Sequence, residues 1–295
     1  TVTLDPDDSV REKALARTAA LKTLAEARGD GATKDGHAVQ LLANIGTAED
    51  AERLTDAAVE GVGLFRTEVL FLGRTTAPTR EEQADAYARA LTALGGRKVV
   101  VRTLDAGADK PLAFVTRTDE ENPALGVRGY RLVRNAPDLM ADQLNALADA
   151  QQRTGIEPWV MAPMIASMDE AADFVAMARE AGIAKVGVMV EVPAAALRAK
   201  DVFSVADFVS IGTNDLAQYT MAADRLLGDL VDLLDPWQPA VLELVAAVSW
   251  ASGEAKKPAG VCGESASDPL MALVLTGLGI NSLSMSPAAV PGVRF

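Results

Sequence analysis

The sequence predicts an α/β fold, a (β/α)8 barrel of the TIM type preceded by an N-terminal linker helix. Three observations predict it. Eight short apolar runs recur between residues 39 and 285, most of them rich in Val, Ile or Met and without period-2 alternation, as strands covered on both faces are. Longer helix-like segments separate most of these runs, which is the bookkeeping of parallel βα units. Arginines, carboxylates and the single cysteine fall at the C-terminal ends of the runs, the face on which such barrels hold their sites.

Taken in order, the first 30 residues are polar and helix-prone. Ser9 and Glu12 have the spacing of a capping box, helix-favouring residues run to Arg28, and Gly29-Asp30-Gly31 stops them. Residues 1–35 are therefore expected to be a helical linker and residues 36–295 the barrel. The predicted strands are 39–45, 62–65, 98–102, 159–164, 186–191, 208–211, 259–262 and 282–285. Helix starts are legible at Thr47 with Asp50, Thr79 with Glu82, Ser167 with Glu170, and Asp268 before Pro269. A doubly wound open sheet is the competing fold. It usually places a Gly-rich phosphate turn after the first strand, and Asn44-Ile45-Gly46-Thr47 is not one. Two connections are long: 104–158, expected to hold two helices and an irregular stretch at 119–123, and 213–258, with Asp235-Pro236-Trp237-Gln238-Pro239. Long βα loops usually build a barrel's site.

Composition narrows the function. The 295 residues are 49% hydrophobic and 23% charged, values of a folded globular chain. A net charge of −13 repels phosphate backbones and argues against nucleic acid. One cysteine excludes an internal disulfide framework and points to a reducing, cytoplasmic setting. No run of 18 apolar residues and no basic-then-apolar leader appears, so neither a membrane span nor a signal peptide is expected. The chain opens at Thr1 without an initiator methionine and is expected to be a piece of something longer.

Arg66 and Arg102 end the second and third predicted strands, and Arg128 and Arg225 lie in the two long loops. Four guanidinium groups at one rim suit a dense oxyanion such as a phosphate with a carboxylate. The structural alternative is internal pairing, Arg66 with Glu68 or Arg102 with Asp105. Glu191 and Asp215, from neighbouring strands, suit Mg²⁺ or Mn²⁺ completed by water and substrate oxygens. The Gly212-Thr213-Asn214-Asp215 turn offers backbone N–H groups to an anion. Cys262, between Gly260 and Gly263, is a candidate proton donor whose thiol the arginines are expected to bring into a useful titration range. His37, the only histidine, precedes the first strand and is expected at the opposite end. The nine methionines are expected to fill the core.

Six segments together resemble enzyme I of the bacterial sugar phosphotransferase system. They are Gly61-Val-Gly-Leu-Phe-Arg-Thr-Glu68, Arg102-Thr-Leu-Asp-Ala-Gly-Ala-Asp-Lys110, Glu121-Asn-Pro-Ala-Leu-Gly-Val-Arg-Gly-Tyr-Arg131, Met189-Val-Glu-Val-Pro-Ala-Ala-Ala196, Ser210-Ile-Gly-Thr-Asn-Asp-Leu-Ala-Gln-Tyr-Thr220 and Val261-Cys-Gly-Glu264. The resemblance spans nearly the whole chain. It implies a (β/α)8 barrel that binds phosphoenolpyruvate and Mg²⁺ and forms a homodimer. It implies that Arg66, Arg102 and Arg225 bind phosphoenolpyruvate with Arg128 supporting, and that Lys110 belongs to the ligand shell. It further implies that Glu191 and Asp215 hold the metal, that Asn214 with Asp215 contacts phosphate, and that Cys262 protonates the enolate carbon. In that family the phosphoryl group passes to a histidine on an N-terminal domain and on to HPr, releasing pyruvate. Nothing in this sequence matches the histidine motif or the HPr-docking subdomain, so the chain alone is expected to bind ligand and complete no phosphotransfer. Leu226-Leu227, Ser265 and Ser267 depart from the family's usual residues, and the family's final helix beyond Pro291-Gly-Val-Arg294 is expected to be cut short here. The alternatives are the barrel of a pyruvate phosphate dikinase or phosphoenolpyruvate synthase, a non-catalytic phosphoenolpyruvate-sensing dimer module, and, more distantly, a Mg²⁺-dependent aldolase barrel.

Overall fold

Eight parallel strands pair in sequence order and the last closes on the first. They are β1 (Gln40–Ile45), β2 (Gly61–Arg66), β3 (Lys98–Arg102), β4 (Trp159–Ala162), β5 (Lys185–Val190), β6 (Phe208–Ile211), β7 (Ala259–Val261) and β8 (Ser282–Met285). The computed structural model describes residues 7–25, 29–107, 110–116 and 119–295. The helices are α1 (Asp8–Ala25), α2 (Ala48–Arg53), α3 (Arg80–Ala93), α4 (Pro137–Thr154), α5 (Met168–Glu180), α6 (Pro193–Leu197), α7 (Ala199–Val205), α8 (Thr213–Met221), α9 (Pro239–Ala255), α10 (Pro269–Gly277) and α11 (Val290–Arg294). None of the described helices is long and apolar enough to cross a membrane.

The expected strands are present, and three ends move in a way that matters. β4 stops at Ala162 because Met164 adopts a left-handed conformation, φ 61°. β5 and β7 stop one residue early, so Glu191 and Cys262 sit just beyond their strands, free of the ladder. Among the described residues, the 104–158 connection contains one α-helix where two are expected. Pro123, Gly126 and Gly129 (φ 57°) limit its first half to the 3₁₀ turns Pro123–Leu125 and Gly129–Arg134 before Pro137 opens α4.

The capping boxes at Thr47 and Thr79 form as predicted, and Asp268 caps α10 through the N–H groups of Leu270 and Met271. Ser167 accepts from Glu170 N–H, but Glu170 turns its carboxylate to Ala166 N–H (2.9 Å) and Arg134 (3.1 Å), so that box is one-sided. At α1 the cap is Asp7, not Ser9. Its Oδ1 accepts from Val10 N–H at 2.9 Å and from the Ser9 hydroxyl at 2.8 Å, because the helix starts at Asp8, about two residues earlier than the box spacing implied. Residues 26–28 of the expected helix lie outside the described residues.

Two apolar layers hold the barrel. Leu64, Val100, Met161, Met189, Phe208 and Cys262 fill its interior. Outward-facing strand residues such as Phe65, Val99 and Val188 pack under the helices, with Phe65 meeting the Tyr87 ring of α3 edge-on at 6.1 Å. His37 is exposed ahead of β1, as expected. Arg97 ties the N-terminal end together: its guanidinium donates to Leu54 O, Thr55 O and Leu94 O at 3.0 Å and to Val59 O at 3.3 Å. Arg97→Ala orphans carbonyls that the fork now serves, and is expected to cost about 2–3 kcal/mol in urea denaturation, with Arg97→Lys recovering less than half.

Candidate active site

A cavity of about 790 Å³ opens at the C-terminal mouth of the barrel. Arg66, Arg102, Lys110, Glu191, Asn214, Asp215, Arg225 and Cys262 all line it. Adjacency comes from the ladder: Arg66 and Arg102 are register partners on β2 and β3. Glu191 follows β5, Asn214 and Asp215 occupy the first turn of α8 after β6, and Cys262 follows β7. Residues spread over 197 positions of sequence thus meet because every strand runs the same way.

Arg128 does not face this cavity. It is 2% exposed and braces the site from behind, donating to both Asp105 oxygens at 3.2 Å, to Asp215 Oδ1 at 3.0 Å and to Tyr219 Oη at 3.3 Å. It borders a second cavity of about 550 Å³, which Arg225 also lines.

Internal pairing takes a different form from the one expected. Arg102 does pair with Asp105, at 3.1 Å, but Glu68 pairs with Arg102 (2.7 Å) and Lys110 (2.8 Å) instead of with Arg66. The 3₁₀ turn Thr67–Leu70 buries Glu68 to 2% exposure, whereas Arg66 stays exposed and makes no ion pair among the described residues. Glu68, expected as the partner of Arg66, instead serves Arg102 and Lys110 at the rim of the cavity. The signal for it was a carboxylate two positions after a strand-end arginine, since buried cations require buried anions. Burial raises the Asp105 carboxyl, but Arg102, Arg128 and Lys110 outweigh that and hold it at about 2. Glu68 Oε2 and the Nε groups of Arg102 and Arg128 are buried without a hydrogen-bond partner.

Glu191 is different. Burial, reinforced by Asp215 and Asp105, pushes its carboxyl up to about 8. One oxygen, Oε1, accepts from Met164 N–H at 2.7 Å, which the left-handed turn at Met164 aims at it. The other, Oε2, lies against Gly212: a Cβ there would stand 2.6 Å away and push the carboxylate aside. Among the described residues no three His, Cys, Asp or Glu side chains converge as a closed metal cage. Two hard carboxylates opening on a cavity, one of them kept uncrowded by a glycine, nevertheless fit a Mg²⁺ or Mn²⁺ that takes its remaining ligands from water and substrate.

Cys262 is buried, and burial pushes its thiol up to about 11. Arg102 acts in the opposite direction but is the weaker influence, which corrects the expectation that the arginines bring the thiol into a useful titration range. The group stays protonated at neutral pH. Around it, Asn214 Oδ1 accepts from Glu264 N–H at 2.9 Å, and the hydroxyls of Thr213 and Ser265 bond at 2.8 Å. Ser265, one of the departures from the resembled family, therefore joins the β6 and β7 loops. Leu226 and Leu227, the others of note, are exposed.

Comparison with known proteins agrees with this geometry. Residues 22–295 match the family of the PEP-binding domain of PEP-utilising enzymes. The chain is 53% identical over 294 residues to a phosphoenolpyruvate-protein phosphotransferase of Streptomyces coelicolor, covering 99% of this chain and 53% of that one. It is 42% identical over 277 residues to the protein of that name in Staphylococcus carnosus, covering 90% and 48%. The chain thus spans about half the length of these curated relatives. Among solved structures, an HpcH/HpaI aldolase/citrate lyase family protein from Burkholderia cenocepacia superposes with a TM-score of 0.52 at 17% identity, covering 92% of this chain and 93% of that one, which speaks to the fold alone. With a family match over most of its length and a closed eight-stranded barrel, the chain belongs to the PEP-binding domain family of PEP-utilising enzymes.

Proposed function

We propose that this chain is the phosphoenolpyruvate-binding and dimerisation half of a phosphoenolpyruvate–protein phosphotransferase. The observation that carries the reading is the convergence of Arg66, Arg102, Lys110 and Arg225 with Glu191, Asp215 and Cys262 on one cavity. Arg66, Arg102 and Arg225 clamp the phosphate, Lys110 adds a fourth cation, and Asn214 with Asp215 presents the turn of α8 to a phosphate oxygen. Arg128 keeps Asp105 and Asp215 in place from behind. Glu191 and Asp215 hold Mg²⁺, or Mn²⁺. When bound, the metal supplies Lewis-acid stabilisation of the negative charge on phosphate, carboxylate and enolate oxygens. The arginines then neutralise charge as it spreads during phosphoryl transfer, so catalysis is chiefly positioning and preorganised electrostatics. Cys262, held as a neutral thiol by burial, gives its proton to the methylene carbon of enolpyruvate and so makes pyruvate.

The phosphoryl acceptor in this reading is a histidine on the other half of the full-length protein, which passes the group to HPr, and two copies associate through this barrel. A free thiol as proton donor suits a reducing cytoplasm. Calorimetric titration of this chain with phosphoenolpyruvate tests the reading. Binding is expected only when Mg²⁺ or Mn²⁺ is present and is expected to vanish on chelation. Equal binding with and without the metal, or none at all, removes the reading.

A further inference from the structure

We propose that Asn44 is the residue that positions Cys262 for proton transfer to carbon, acting across the seam where β8 meets β1. The inference rests on the role given to Cys262 above.

The β1–β2 ladder pairs Ala43 with Val62 and Asn44 with Leu64, so the extra residue is Gly63 on β2 and β1 itself runs on without interruption. Asn44, one residue before the end of β1, presents a primary amide that is half-buried in the wall of the 790 Å³ cavity. Its Nδ2 donates to the backbone carbonyl of Cys262 at 3.2 Å and to that of Ser284 at 3.4 Å. Its Oδ1 accepts from the Ser284 hydroxyl at 2.5 Å. One side chain therefore joins β1, β8 and the residue that follows β7.

The backbone alone does not make this connection. The β7–β8 pairing covers Gly260 with Ser282 and Val261 with Leu283, and stops there. At the level of Cys262 the Asn44 amide takes over from the ladder. On the other side, Cys262 N–H donates to Ile211 O of β6 at 3.1 Å. The peptide of Cys262 is thus gripped through its N–H by β6 and through its carbonyl by Asn44. Fixing both groups fixes the Cα–Cβ direction, and the contact of the thiol with Ile211 O at 3.7 Å then selects the rotamer that places the sulfur. Only an amide of this size supplies two donors and an acceptor at once: aspartate lacks the donors and leucine lacks all three.

Exchange of pyruvate's methyl protons in D₂O with Mg²⁺, followed by NMR, reads this role. In that reaction the Cys262 thiol first loses its proton to solvent, which burial makes infrequent and higher pH makes more frequent. The resulting thiolate removes a methyl proton, and the C–H electron pair becomes the double bond of the enolate. Solvent replaces the proton on sulfur by a deuteron, and the reverse step delivers the deuteron to carbon. Asn44→Leu, equal in size and uncharged, is expected to slow exchange per folded molecule by about tenfold or more, because misaligned reacting groups lose rate steeply. Phosphoenolpyruvate affinity is expected to stay within about twofold, since none of the phosphate-directed groups has moved. Ser284→Ala removes only the hydroxyl that orients the amide and lies away from the mouth cavity; it is expected to slow exchange by about threefold, and it carries the test if Asn44→Leu does not fold. A lowered melting temperature with unchanged exchange in both variants makes Asn44 a merely structural clasp and overturns the proposal. Exchange absent from the unaltered chain overturns the role of Cys262 itself, and this inference with it.

Discussion

Arg102→Met is expected to lower stability by about 3 kcal/mol, the lower end of what breaking a buried ion pair costs, and to abolish phosphoenolpyruvate binding. Arg102 is 4% exposed and holds two carboxylates, Glu68 and Asp105, that are themselves 2% and 3% exposed. Without it, neither acid is left wholly alone. Lys110 still reaches Glu68 at 2.8 Å, and Arg128 still reaches Asp105 at 3.2 Å. That residual pairing is why the expected loss sits near the bottom of the range. The binding loss has a separate origin: removing one cation turns the balance of the cluster toward negative, and a phosphate dianion then meets uncompensated carboxylates. Arg102→Lys separates the two effects. It restores the charge but not the fork that bridges two acids at once, so it is expected to recover much of the stability and little of the binding. Urea denaturation and calorimetric titration on both variants check this. Full binding by Arg102→Met would remove Arg102 from the phosphate clamp.

The contrast between what the sequence disclosed and what it withheld follows from the range of the interactions. Strand positions were legible because burial on both faces leaves a local mark: the apolar runs around Val99, Val188 and Val209 need no knowledge of their partners. Rim positions were legible for the same reason, since Arg66, Arg102, Glu191 and Cys262 each interrupt or end such a run. Partners were not. That Glu68 serves Arg102 and Lys110, while Arg66 makes no ion pair among the described residues, depends on how a 3₁₀ turn enters the mouth, and no spacing encodes it. The Cys262 thiol shows the same limit. The sign of each influence on it was foreseeable, but which one dominates depends on how completely neighbours exclude water, and burial prevails over Arg102. Asn44 carries no such mark, because a contact with a residue 218 positions away lies beyond any local reading.

A single added methyl group at residue 263 is expected to disable the site. Gly263 has φ −79° and ψ 178°, a conformation open to any residue, so the constraint is purely one of space. A Cβ there would stand 2.0 Å from Thr213 Oγ1, 2.8 Å from Thr213 N and 3.0 Å from Asn214 Oδ1. The threonine hydroxyl can rotate aside, at the loss of its bond to Ser265, but the backbone nitrogen cannot. The loop after β7 and the start of α8 must therefore separate. Cys262 lies on one side of that parting and Asp215 on the other, so the proposed proton donor and the proposed metal carboxylate lose their mutual position. Displacements approaching 1 Å between reacting groups cost about 100-fold in rate, and the Gly263→Ala variant is expected to lose about that much methyl-proton exchange in pyruvate. Its stability is expected to fall by about 1–3 kcal/mol, the usual cost of overpacking. Gly228→Ala, where a Cβ meets nothing within 4 Å, is the matched control and is expected to exchange at the unaltered rate. Equal exchange by the two variants would mean that the β6 and β7 loops tolerate separation, and that the alignment of Cys262 with Asp215 does not set the rate.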